Sequence, residues 1–172
     1  MNAIALTNLG KYNEGQLVYE WLSLPFTDEE LQETLENIGI NEYYEEYFVS
    51  DYEFDIDYNI GEYPDLKKLN ELFEEIDGLS NDELELLDDI MEQGYDLEES
   101  IEILINGDYN TIESVADDED LGIEYIDQVY GGIEHLPREL LERYFNFESF
   151  GRDLQIDGLK ITNNNRAIEI IK

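Results

Sequence analysis

Leu-Leu-Glu-Arg-Tyr-Phe-Asn-Phe-Glu-Ser-Phe-Gly-Arg-Asp-Leu, residues 140–154, departs from the rest of the chain in composition. Base is scarce throughout, 9 Lys+Arg against 45 Asp+Glu, yet Arg143 and Arg152 both fall here and bracket Tyr144, Phe145, Phe147 and Phe150. Pro137 suits the first turn of a helix, where a missing N–H costs nothing. Leu140, Leu141, Tyr144 and Phe145 then recur at helical spacing, which predicts a helix with one apolar stripe that ends near Gly151. Arg152-Asp153 follows at that break, where an arginine fork can hold a carboxylate or the last helix carbonyls. By spacing alone the stretch reads as a core helix with a salt-bridged exit, since aromatic stripes are usually packing.

Upstream, the middle of the chain is helical. Pro64 and Asp65 open a helix with Leu66, Leu69, Phe73 and Ile76 at core spacing, closed by Gly78. Ser80 with Glu83 forms a capping box for a helix that turns Leu84, Leu87 and Met91 inward and stops at Gly94. Asp96 caps another, with Leu97, Ile101, Leu104 and Ile105 on one stripe and Gly107 as its end. Nearer the N-terminus, residues 3–8 and 16–24 read as an antiparallel pair of strands joined by a turn holding Gly10, Asn13 and Gly15. Thr27 and Glu30 make a capping box for a helix with Leu31, Leu35 and Ile38 inward. A third strand is expected near residues 47–52. Downstream, a short strand near residues 111–115 and a helix within residues 118–130 precede the aromatic stretch. A hairpin pairs residues 158–162 with 167–171 across Asn163-Asn164-Asn165, which tolerate positive φ. The fold class is therefore α+β. It is expected as an N-terminal antiparallel sheet with a helix (residues 1–61), a central helical bundle (62–107), and C-terminal helices with a small antiparallel sheet (108–172).

Composition bounds the function. The formal net charge is −36 over 172 residues. Such a chain is repelled by nucleic acid and by anionic membrane surfaces, so its natural partners are basic. With 42% hydrophobic and 12% aromatic residues it can build a core, unlike a disordered acidic tail. There is no cysteine for a disulfide or thiolate site, no secretory leader pattern, and no apolar run of membrane-spanning length, which together lead us to expect a cytoplasmic protein. His135 is the only histidine and reads as part of a turn before Pro137; no two-histidine metal motif, phosphate loop or nucleophile elbow is present. Asp118, Asp120 and Gly122 fail the EF-hand spacing. No cofactor or metal is expected, and a carboxylate-pair hydrolase is a distant possibility because acids are too abundant for any pair to stand out.

Carboxylates recur on helical faces. Glu85, Asp88, Asp89 and Glu92 are expected opposite Leu84, Leu87 and Met91; Glu29, Glu33 and Glu36 form a second set, Glu98, Glu99 and Glu102 a third, and Asp120, Glu124 and Asp127 a fourth. Positions i and i+4 lie ~6 Å apart along a helix axis, close to the spacing of phosphates along a DNA strand. A solvated face or adaptation to salt would also produce such runs. Like charges at i, i+4 destabilise a helix, however, and lysine partners are nearly absent. The net charge equals that of roughly 18 base pairs of duplex.

The stretch at residues 140–154 also resembles the antirestriction motif of the ArdA family. Asn146 and Phe147 stand where that pattern has Asp and Tyr. A second block, Asn8-Leu9-Gly10-Lys11-Tyr12-Asn13-Glu14-Gly15 followed by Leu17-Val18, Trp21 and Leu24-Pro25, is similar to the family's N-terminal signature. Residues 42–53, Glu-Tyr-Tyr-Glu-Glu-Tyr-Phe-Val-Ser-Asp-Tyr-Glu, make a third. The resemblance implies an elongated chain of three small domains, a homodimer, and a non-enzymatic protein that mimics B-form DNA in the groove of type I restriction–modification enzymes, on their methyltransferase core. On that reading the acids named above stand in for phosphates. Leu140, Leu141, Arg143, Tyr144, Phe145, Phe147, Glu148, Phe150, Gly151, Arg152, Asp153 and Leu154 serve packing or the dimer interface. The alternative is an acidic adaptor that binds one basic protein through a specific patch.

Overall fold

The computed structural model describes residues 2–136 and 145–171. The fold is mixed α+β, with two small antiparallel sheets, and the chain divides into two compact units, Met1–Leu84 and Glu85–Lys172.

In the first unit β1 (Ala3–Asn8) is central, flanked by β2 (Tyr19–Ser23) and β3 (Tyr47–Glu53), both antiparallel to it. All six β1 residues are buried, flanked by a strand on either side and by larger side chains of both neighbours. The link from β1 to β2, expected as a turn, contains a short helix, α1 (Leu9–Asn13), which the side chain of Asn8 caps by accepting from Lys11 N–H at 2.9 Å. Asn8 also donates from Nδ2 to Ile38 O at 3.2 Å. One buried asparagine thus satisfies a helix start and ties it to the end of α2 (Asp28–Asn37). The capping box of α2 is present: Thr27 Oγ1 accepts from Glu30 N–H, and the Glu30 carboxylate accepts from Thr27 N–H. α3 (Leu66–Ile76) starts at Asp65 and buries Leu66, Leu69, Leu72, Phe73 and Ile76, with the Phe73 ring 4.7 Å from that of Phe54. Asn70 on α3 grips the backbone before α2, accepting from Phe26 N–H at 2.7 Å and donating to Phe26 O at 3.0 Å.

α4 (Asn81–Met91) carries the chain into the second unit, with the Ser80–Glu83 capping box formed at its start. α5 (Leu97–Asn106) follows its Asp96 cap and ends at Gly107, whose φ of 70° is the left-handed conformation that a helix stop requires. Then come β4 (Tyr109–Ile112), α6 (Asp118–Tyr130), a 3-10 turn (Ile133–His135), α7 (Phe147–Asp157), β5 (Lys160–Ile161) and β6 (Ala167–Ile170). The sheet order is β4-β6-β5, with β6 central. Side chains alternate across a strand. Accordingly Ala167 joins Ile112, Val115, Leu121 and Leu159 in one cluster, while its neighbour Ile168 joins Leu86, Ile90 and Ile103 in another.

Two helix faces differ from expectation. In α4 the buried residues are Leu86, Leu87, Asp89 and Ile90, so the inward arc is turned by about one residue from Leu84, Leu87 and Met91. In α5 Ile105, expected on the inward stripe, is 64% exposed, and Ile103 is buried. The helix expected from Pro137 lies largely outside the described residues. Gly151, expected as its stop, instead sits inside α7 and is buried there. Among the described residues no helix is long and apolar enough to cross a membrane.

Candidate functional site

The acidic sets lie on the outer sides of helices whose inner faces build the cores. On α2, Glu29, Glu33 and Glu36 are exposed, and Glu36 accepts from Gln32 Nε2 at 3.0 Å. On α4, Glu85 is exposed and Asp88 is half-buried; Glu92, just past its end, is exposed and accepts from the Asn163 side chain on the β5–β6 turn. On α5, Glu98, Glu99 and Glu102 are all exposed. On α6, Asp127 is exposed while Asp120 and Glu124 are half-buried, and Asp120 accepts from Ala116 N–H at 3.2 Å, closing the turn before its own helix.

Asp89 is the exception and corrects the sequence reading. It is fully buried, its Oδ2 lies 3.1 Å from Arg166 Nη1, and Oδ1 accepts from Asn164 Nδ2 at 3.0 Å. Burial raises its carboxyl above the usual aspartate range, opposed by hydrogen bonds from Thr162 and Asn164 and by the Arg166 charge. Arg166 Nε also lies 3.6 Å from Glu113. Asp89 therefore anchors the terminal hairpin to α4 and faces no partner. Glu30 and Glu83 behave in the opposite sense: backbone and hydroxyl donors at Thr27 and Ser80 hold their carboxyls below the ordinary glutamate range, so both caps stay ionised.

In the aromatic stretch, Leu140, Leu141, Arg143 and Tyr144 lie outside the described residues. The remainder forms the start of α7. Asn146 caps it by accepting from Ser149 N–H at 2.9 Å. The Phe145 ring meets Phe147 at 4.7 Å and Phe150 at 5.2 Å, both edge-on, and Phe150 meets Tyr125 of α6 at 5.8 Å. Arg152 does hold carboxylates, pairing with Glu148 one turn earlier at 2.6 Å and lying 3.8 Å from Asp118, but from within α7 and not at a helix exit. Asp153 is exposed and Leu154 packs on the cluster around Leu121.

α6 and α7 approach through two glycines. A Cβ on Gly151 would fall 2.6 Å from the Asp118 carbonyl carbon, and one on Gly122 would fall 2.7 Å from Phe147 O. Each helix thus presents a bare backbone to the other, which fixes where the aromatic cluster sits. Among the described residues no group of three or more His, Asp or Glu side chains converges as a metal-binding set would.

A family model described as Antirestriction protein (ArdA) matches residues 4–166. The chain belongs to the ArdA family. No match is found among curated proteins. The match runs from β1 to the residue before β6, and so takes in every acidic set and the whole of residues 140–154. As ArdA is an antirestriction family, the function is inhibitory and the partners are restriction enzymes.

Proposed function

We propose that this ArdA protein is an acidic mimic of B-form DNA that occupies the DNA-binding groove of type I restriction–modification enzymes and inhibits them by competition, without performing chemistry. The observation that carries this reading is the outward display of carboxylates on helix after helix in a chain of net charge −36, with only 9 basic residues to neutralise them. Glu29, Glu33 and Glu36 on α2 recur three or four residues apart, close to phosphate spacing, as do Glu85 and Asp88 on α4 with Glu92 just past its end, and Asp120, Glu124 and Asp127 on α6; on α5 Glu98 and Glu99 each stand about one turn before Glu102. The methyltransferase core, which must hold a polyanion, is the complementary surface. The test is competition. Increasing amounts of this protein are expected to displace a labelled duplex from the methyltransferase core, less effectively as salt rises. A ternary complex of enzyme, duplex and protein would sink the reading.

We further propose a homodimer joined through residues 140–154. Two chains of this charge repel, so an interface belongs where acid is sparse and arginine is available. In support, Phe145, Phe147 and Phe150 are only half-buried, leaving ring edges at the surface of the second unit. Phe147→Ala is expected to sediment as a monomer with its secondary structure retained. Persistent dimers, or loss of the fold, would return these rings to internal packing alone.

A further inference from the structure

We propose that the outer face of the N-terminal sheet is a docking surface for arginine side chains of a basic partner protein. The inner face is settled by Ile4, Leu6, Leu22 and Val49, all buried. On the opposite face β1 presents only small side chains, Ala3, Ala5 and Thr7. The register puts three rings and a carboxylate on either side of them: Trp21 and Asp51 both pair with Ala5, and Tyr19 and Phe48 both pair with Thr7. Phe48 is extended by two further rings, Tyr12 at 5.4 Å and Tyr63 at 6.4 Å. Tyr12, Tyr19 and Tyr63 are each more than half exposed and Trp21 is 38% exposed. Single exposed aromatics need no explanation, but rings gathered over one sheet face mark an interaction surface.

Charge selects the occupant. Asp51 and Glu53 are exposed on β3 beside these rings, and the chain as a whole is strongly acidic. Nucleic acid is repelled, and a second copy would bring the same charge to the same face. A basic protein remains, and among basic side chains arginine fits best. Its planar guanidinium stacks on a ring while its fork takes a carboxylate, whereas the lysine ammonium is a hydrated point charge. Trp21 and Asp51 stand two strands apart, about 10 Å between backbones, on either side of the buried Ala5, so an arginine meets the exposed edge of the ring and the exposed carboxylate at the rim of the face and not the strand between them. Lys11 does not fill this role, because its Nζ donates to Ile38 O at 3.1 Å and lies 5.9 Å from the Tyr44 ring. The inference rests on the DNA-mimic reading for the source of the arginines, since a protein surface that binds a polyanion is rich in them. It adds a second mode of contact, ring to guanidinium, to the ionic one.

Trp21 is the only tryptophan, so labelling with 5-fluorotryptophan gives one fluorine resonance that reports this face alone. The labelled protein is titrated with hexa-arginine and, separately, with hexa-lysine at the same ionic strength. The resonance is expected to shift saturably, with at least about threefold tighter binding for the arginine peptide. Tyr19→Ala, and separately Asp51→Asn combined with Glu53→Gln, are expected to reduce the arginine titration to that of lysine. Both variants alter exposed side chains, and circular dichroism checks that the fold is kept. Superimposable titrations of the two peptides, or variants that leave the arginine curve unchanged, would overturn the proposal. A resonance that moves with the protein's own concentration, without peptide, would overturn it in favour of a second copy. The duplex competition described above uses neither label nor peptide, so either idea can fail alone.

Discussion

Arg166 is 13% exposed at its side chain and its partner Asp89 is 0% exposed, a pair removed from water in a protein where most ionic groups face it. Removing one member of such a pair costs far more than the pair contributes, because the other charge is left in a low dielectric. Arg166→Ala is therefore expected to destabilise the second unit by about 3 kcal/mol in urea titration. The matching change at the surface, Arg152→Ala, should cost less than about 1 kcal/mol, since Arg152 and Glu148 are 59% and 66% exposed. Comparable losses for the two arginines would show that burial does not govern the difference. The pairing was not legible in the sequence. Asp89 sits in a run of acids, and Asn164 and Arg166, which meet it from the hairpin, are 75 and 77 positions away. Nothing local distinguishes it from Asp88. Thr27, Ser80, Asp96 and their partners three residues on are the opposite case, where a helix start is written within four positions and the structure forms it.

At the scale of elements, the crossing of α6 and α7 depends on Gly122 and Gly151. Alanine is the better helix former by about 1 kcal/mol, so on propensity alone Gly151→Ala would stabilise α7. The backbone of Asp118 leaves no room for the added methyl, and backbone cannot swing aside as a side chain can. The clash should win. Gly151→Ala is expected to cost about 3 kcal/mol and to lower the melting temperature; an unchanged or raised one would mean that the helices separate cheaply. Sequence reading took Gly151 as a helix stop, because a glycine after an apolar stripe has that meaning when only the chain is visible. Its other use, close approach of two backbones, needs the second helix to be known. The same limit explains α4. Leu84, Leu86, Leu87, Ile90 and Met91 wrap much of that helix, so periodicity established that it has an inward face but not which of two adjacent arcs it is.

For the whole molecule, charge and, apart from α1, the order of strands and of the helices described were legible, while the partners of each helix face were not. On the proposed reading binding is spread over many exposed carboxylates. Neutralising one of them, as in Glu33→Gln or Glu102→Gln, should weaken inhibition by at most about 1 kcal/mol, with losses accumulating as more are changed. A single acid worth about 3 kcal/mol would favour instead an adaptor with one specific patch. The central strand of the second unit adds a constraint of another kind. Ala167 and Ile168 are adjacent in sequence yet each completes a different hydrophobic cluster, one around Leu121 and the other around Ile90. A slip of β6 by one position would exchange the two side chains and spoil both clusters together. This strand therefore makes the unit cooperative: neither cluster can loosen alone, and partial opening is suppressed in a protein whose crowded negative surface would otherwise favour it.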